Sequence, residues 1–236
     1  MEKLVFRELY PSEIEVRVST VSAKGLSLLL YKDARCDANI LDETVGAMNW
    51  QRDHKVVKDT LLGCISIWDT VKKIWVSKWD AGAESFSEKK KGEASDSFKR
   101  SGFAWGVGRE LYTSPFIWIS DKEGTKGYIT KNSKAKSGWT SYAKFQVSKI
   151  ITEHKKIKFL EVQGSVNYQP MKQAFIWGGI RTATDTTCKE MRKVLTEKKI
   201  SEKQICSKFK SETGIVSSVL EECTDYKLKQ YIQKLK

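Results

Sequence analysis

Glu88-Lys-Lys-Lys-Gly-Glu-Ala-Ser-Asp-Ser-Phe-Lys-Arg-Ser-Gly-Phe-Ala-Trp-Gly-Val-Gly-Arg-Glu-Leu-Tyr112 reads as a charged approach, a helix and a glycine-punctuated exit. At about 100° per residue, Ala94, Phe98, Ser101, Gly102 and Trp105 share one helix face. Two large rings among small residues let a partner element approach the backbone closely. Lys99 and Arg100 fall away from that face, beside Asp96 and Phe103. A helix that buries Phe98 and Trp105 would therefore hold two adjacent cations on its other side. The bland alternative is a core helix with a solvated basic edge.

Working outward, the residues before this helix read as a meander. His54–Lys58 and Leu61–Trp68 have strand character, and residues 69–73 make a turn. Ile74–Asp80 returns with Ile74, Val76 and Lys78 on one face and Trp75, Ser77 and Trp79 on the other. Upstream, Ala38, Leu41 and Val45 recur at helical spacing over residues 34–45. Gly46 supplies the stop, and Trp50 would close that helix against the sheet. Trp50, Trp68, Trp75 and Trp105 read as core rings. Residues 26–31 form an apolar run, and residues 1–20 alternate weakly, as short strands or a loose arm.

Downstream, residues 116–119 suggest a short strand, and residues 122–138 a polar, lysine-containing loop. Residues 142–151 and 157–162 suggest a hairpin whose exposed faces carry Lys144, Lys149, Lys155, Lys156 and Lys158. Residues 170–187 read as a linker. Beyond it, amphipathic segments with breaks near Lys199 and Gly214, and a capping box at Ser201-x-x-Gln204, indicate three or four short helices. The expected organisation is a core over residues 1–184 and a small helical domain over 185–236.

Net charge is +13 over 236 residues, an excess that favours nucleic acid or another anionic surface. Residues 185–236 carry 12 Lys+Arg against 8 Asp+Glu; the other +9 lies on residues 1–184. Five widely spaced cysteines with no CxxC and only two histidines suggest neither a zinc site nor a disulfide framework, but reduced, buried thiols in a cytoplasmic protein. No apolar run reaches transmembrane length, and no signal-peptide pattern opens the chain. GxxxxGK[ST], GxSxG and HExxH are missing, so a P-loop ATPase, a serine hydrolase of the nucleophile-elbow type and a zincin are not expected. One enzyme reading survives: Asp80, Glu84 and Glu88-Lys loosely imitate the acidic residues and lysine of a metal-dependent nuclease. Against it, Glu88 lies in a hydrophilic run rather than on a buried strand. The composition otherwise points to cations interleaved with rings, the chemistry that holds single strands. Tyr31, Lys32 and Arg35 form one such cluster; Lys89, Lys90 and Lys91 with Lys99 and Arg100 form another.

Leu30-Tyr-Lys-Asp-Ala-Arg35, Leu41-Asp-Glu-Thr-Val-Gly46 with Asn49-Trp50, and above all Gly92-Glu-Ala-Ser-Asp-Ser-Phe-Lys-Arg100 with Gly106-Val-Gly-Arg-Glu-Leu-Tyr112 resemble phage single-strand annealing proteins of the Sak type. These are relatives of the eukaryotic recombination mediator Rad fifty-two. The match covers about residues 25–120 well and the remainder more loosely. It implies an α+β fold: a β-β-β-α core, with an antiparallel sheet packed on a long helix, an added β-hairpin and a small C-terminal helical domain. It also implies an annealase that needs no ATP, metal or other cofactor, and subunits that join as rings or helical filaments around a basic groove. Single-stranded DNA and the annealed duplex would be its ligands. Host single-strand-binding protein or a phage exonuclease would contact the C-terminal helices. By the resemblance, Lys99 and Arg100 clamp the backbone of one strand and Tyr31 lines the inner site. The eukaryotic pattern has a further arginine three residues after the Lys-Arg pair. Here that position is Phe103, so one phosphate contact is either missing or supplied elsewhere, by Arg35 or Arg109. A passive coat on single-stranded DNA is the alternative binding function.

Overall fold

The computed structural model describes residues 4–83, 89–167 and 169–236, and of Lys89–Lys91 the backbone alone. It is an α+β protein with antiparallel sheets, and it divides into two compact units. Unit 1 is Met1–Glu8 with Lys32–Tyr112; unit 2 is Leu9–Tyr31 with Thr113–Lys236.

Unit 1 contains α1 (Ala34–Val45), β3 (Trp50–Val57), β4 (Thr60–Asp69), β5 (Ile74–Ala81) and α2 (Lys89–Trp105). Unit 2 opens with β1 (Glu15–Ser22) and β2 (Gly25–Tyr31). Asp33 caps α1 by accepting from Arg35 N, and Gly46, at φ 84°, ends it where a side chain would be strained. Trp50 Nε1 donates to Asp42 Oδ1 at 2.7 Å, fastening the end of α1 to β3 as expected. The three strands form an antiparallel sheet in chain order, β3-β4-β5. The β3–β4 hairpin turns through Lys58 and Asp59, both at positive φ, as a two-residue turn matched to strand twist requires.

Helix α2 lies on one face of that sheet through Ser97, Phe98, Ser101 and Gly102, all buried; Ala94 and Trp105 are half-buried. The small residues expected on this face permit close approach. Ser101 Oγ donates toward Gly63 O (2.8 Å) and its own Ser97 O (2.9 Å), and Trp105 Nε1 donates to Ile65 O at 2.8 Å. A Cβ on Gly63 would lie 2.6 Å from Ser97 Oγ and 2.9 Å from its backbone carbon. Gly63→Ala should therefore push α2 off the sheet and destabilise the fold by about 1–3 kcal/mol, the usual cost of overpacking. Urea unfolding of the full chain measures it. The opposite face of the sheet is more open than core tryptophans would make it. Trp75 is 38% exposed, against Trp68 at 5.4 Å between centroids, and Lys55 sits 4.0 Å over Trp79.

In unit 2, β1 and β2 join β6 (Ile117–Ser120), β9 (Lys144–Glu153), β10 (Lys156–Ser165) and β11 (Lys172–Gly178) in a six-stranded sheet, ordered β11-β10-β9-β1-β2-β6. The short β7 (Thr130–Lys131) and β8 (Trp139–Thr140) pair within the 122–138 loop region. Two expectations change here. The β9–β10 hairpin is the middle of a sheet rather than an addition to one, because β1 and β11 satisfy its two edges. The expected linker contains β11, an edge strand so exposed that it shows no buried alternation.

Residues 185–236 form α3 (Asp185–Lys198), α4 (Glu202–Thr213) and α5 (Asp225–Leu235). They surround an apolar cluster that includes Met191, Leu195, Phe209, Leu220, Leu228 and Tyr231. The Ser201–Gln204 capping box forms, and Gly214 ends α4 at φ 75°. The boundary expected at 184/185 is a different cut from the division into units. The helices dock on the sheet: a Cβ on Gly214 would collide with Ser148 O of β9, and Tyr226 Oη accepts from His154 N at 3.0 Å. All five cysteines are buried and none is in a disulfide. No helix among the described residues is long and apolar enough to cross a membrane.

Asp225 ties α5 to the start of α3, accepting from Thr187 Oγ1 at 2.6 Å. Hydrogen bonds from Lys229 and then Thr187 hold its carboxyl down to about 2, against an ordinary 3.8. A carboxyl lowered on folding stabilises above its unfolded value and loses that contribution as pH falls. The melting difference between the native chain and Asp225→Asn should therefore persist at pH 5–7 and disappear between pH 4 and 2.

Candidate nucleic-acid interface

The burial of Phe98 and Ser101 leaves the neighbouring cations off the packed face of α2. Lys99 lies 4.0 Å from Asp96 across one helical turn, and its side chain is 27% exposed. Arg100, with a side chain 46% exposed, donates through Nε to Asp80 Oδ1 of β5 at 3.2 Å. Arg35, on the first turn of α1, is almost wholly exposed and donates to Asp33 at 2.8 and 3.1 Å. The Arg35 hydrogen bonds, with a smaller contribution from the charge of Lys99, hold Asp33 down to about 2. The charge of Lys99 on α2 is thus felt at the carboxylate that Arg35 of α1 pairs with.

Each of these three cations faces an aspartate: Arg35 with Asp33, Lys99 with Asp96, Arg100 with Asp80. Exposed pairs of this kind are worth about 0–1 kcal/mol, so a phosphate that displaces the aspartate forfeits little. The pairs hold the long side chains in place meanwhile.

Arg109, just past α2, donates to Phe103 O (2.9 Å) and Ala104 O (3.1 Å), and its guanidinium lies 5.3 Å from the Phe103 ring centroid. Carbonyls at the C-terminal end of a helix, where the dipole is negative, explain why a cation settles there. Lys78 joins it, donating to Ala104 O at 3.0 Å under the Trp105 ring; burial first, and then the charge of Arg109, lower its pKa. Arg52 does the same at the middle of α2, reaching Ala94 O at 3.0 Å across the Phe98 ring. Lys78 and Arg52 were not among the expected site residues. Strand alternation places Lys78 opposite Trp75 and Trp79, but it does not say which face meets α2.

Lys32 is the clear correction. Expected as a phosphate contact, it is 6% exposed and ion-paired with Asp37, which is fully buried. Burial pushes the Asp37 carboxyl up to about 6, against the pull of Lys32. A Cβ on Gly102 would collide with Asp37 Oδ1, so the pair sits at the α1–α2 contact. The ammonium cannot leave without stranding a buried carboxylate. Tyr31 closes β2 in unit 2, half-buried with Arg17 at 5.8 Å from its ring. Lys89, Lys90 and Lys91 form the first turn of α2; their side chains lie outside the described residues. Of the nuclease candidates, Asp80 accepts from Arg100, and Glu84 and Glu88 lie outside the described residues. Among the described residues, no three His, Cys, Asp or Glu side chains come together as a metal site.

No family model, no curated protein and no solved structure matches this chain.

Proposed function

We propose that this chain binds single-stranded DNA and accelerates the pairing of complementary strands without a nucleotide cofactor. The resemblance to phage single-strand annealing proteins implies this function. One observation carries the reading: β3, β4, β5 and α2 follow in order, and α2 buries Phe98 and Ser101 against the sheet while Lys99 and Arg100 keep partly exposed side chains beside Asp96 and Asp80. The net charge of +13 supports it.

The mechanism follows from polyelectrolyte physics. Complementary strands repel and fold on themselves. Cations screen the repulsion and keep one strand extended, and stacking then supplies roughly 1.4 kcal/mol per base-pair step. Subunits joined in a ring or filament multiply weak contacts by effective concentration. The C-terminal helices would serve partner contacts, with Val216 and Val219 exposed between α4 and α5. The site of action would be the cytoplasm of a bacterial host.

The test is a fluorescence assay in which two complementary oligonucleotides are mixed with protein, without ATP or metal, and the products are run on a denaturing gel. Accelerated pairing of intact strands is expected. Tight binding without acceleration would leave a passive coat instead, and shortening of strands after a divalent ion is added would return the nuclease.

A further inference from the structure

Unit 2 holds a cavity of about 330 Å³, far in sequence from the α2 cations. Its walls include Glu123, Ile129, Lys131, Trp139, Tyr142 and Asn167. The loop that shapes it is built around one side chain. The Asp121 carboxylate, fully buried, accepts from the backbone N–H groups of Lys126 (2.6 Å), Tyr128 (2.7 Å) and Ile129 (3.0 Å). Gly124, at φ 77°, lies where a Cβ would collide with Ile129 O. Strands β7 and β8 then set Lys131 opposite Trp139 in register, with Nζ 5.8 Å from the ring centroid. Tyr142, another of the lining residues, is 76% exposed.

The surrounding charge is mostly positive. Residues 122–138 carry five lysines, Lys122, Lys126, Lys131, Lys134 and Lys136, all exposed, against the single acid Glu123. Lysines alone would suit any polyanion, including an acidic peptide. A preformed cavity with two aromatic walls adds a demand for a flat ring. At the small end of ligand cavities, which run about 300–1,000 Å³, it suits one heterocycle rather than a run of them. A single strand offers both features together, a π-face on every base and a phosphate beside it.

We propose that this cavity takes up one base of a single strand, stacked on Trp139 or Tyr142, with Lys131 and its neighbours on the flanking phosphates. The inference rests on the reading that the chain binds single-stranded DNA. It adds a second contact point on the six-stranded-sheet unit, one that would hold a base rather than the backbone.

The experiment uses the full chain and oligothymidine substituted with 5-iodouracil, cross-linked by light and mapped by mass spectrometry, with binding followed by anisotropy. Cross-links are expected on the peptide containing Trp139 and Tyr142. Tyr142→Ala and Trp139→Ala should each weaken binding of a short strand about tenfold, with Trp139→Phe retaining most of it. Lys131→Ala should lower the log–log salt slope by about 0.7. Tyr142 is exposed enough that its removal leaves the fold intact, which covers the case in which Trp139→Ala does not fold. A strand that binds tightly but cross-links only elsewhere overturns the cavity and leaves the proposed function standing. A strand that does not bind overturns both, and cross-links to acidic-peptide probes alone would assign the lysines to a protein partner.

Discussion

Lys99→Ala with Arg100→Ala is expected to weaken single-stranded DNA binding about 30- to 100-fold at low salt, as two charge-assisted contacts each worth somewhat more than 1 kcal/mol would require after displacing an aspartate. The log–log salt slope should fall by about 1.4, at 0.7 per phosphate on a single strand. The loss should be uniform across sequences, because the contacts would be to backbone. Thermal stability should barely move. The pairs being removed, Lys99–Asp96 and Arg100–Asp80, are partly exposed and worth about 0–1 kcal/mol each. An unchanged salt slope would remove these two residues from the interface. A large fall in melting temperature would show that they act through the fold.

The largest effect on stability is expected at the other lysine of the motif. Asp37→Ala would leave the Lys32 ammonium buried without a partner, at a cost of about 3–5 kcal/mol. Lys32→Met should cost less, because the stranded carboxyl can take up a proton. Exchanging both for apolar residues, Lys32→Met with Asp37→Leu, should recover most of the loss. The sign of the pH dependence follows from the raised carboxyl. Its folded value, about 6, lies above the ordinary 3.8, so the fold binds the proton more tightly than the unfolded chain does. This group therefore favours the fold most at low pH, and its contribution declines as pH rises from 4 to 6. In Lys32→Met the decline should extend above pH 6, since the pull of the ammonium is gone. Urea unfolding of the four chains across pH 4–8 measures the cycle. If Lys32→Met instead keeps full stability and lowers the salt slope of DNA binding, the lysine belongs to the interface after all.

Local pattern was sufficient for much of this protein. Helix α1 with its Gly46 stop, the three strands before α2, the face of α2 centred on Phe98 and Ser101, and the capped C-terminal helices all follow from signals within a few residues of one another. Helical and strand periods, caps and left-handed glycines are properties of short segments, so they survive without knowledge of the rest of the chain. That Lys99 and Arg100 lie off the buried face belongs to this class, because it is fixed once Phe98 is buried.

What each side chain meets was decided by elements that arrive from elsewhere. Lys32, Asp33 and Arg35 look alike as charged residues at the start of α1, yet one is sealed against Asp37 beneath α2 while the others stay in water. Arg109 folds back on Phe103, and Lys78 passes under Trp105, because the end of α2 offers them carbonyl acceptors. Strands β1 and β2 pair with β9 and β6 across roughly a hundred residues of intervening chain, and β11 joins as an exposed edge. Residue spacing records the period of a segment; it carries no term for the partner that completes a hydrogen-bond ladder or for the carboxylate that buries a cation. Those come only from the packed structure, where desolvation and distance choose among chemically equivalent residues.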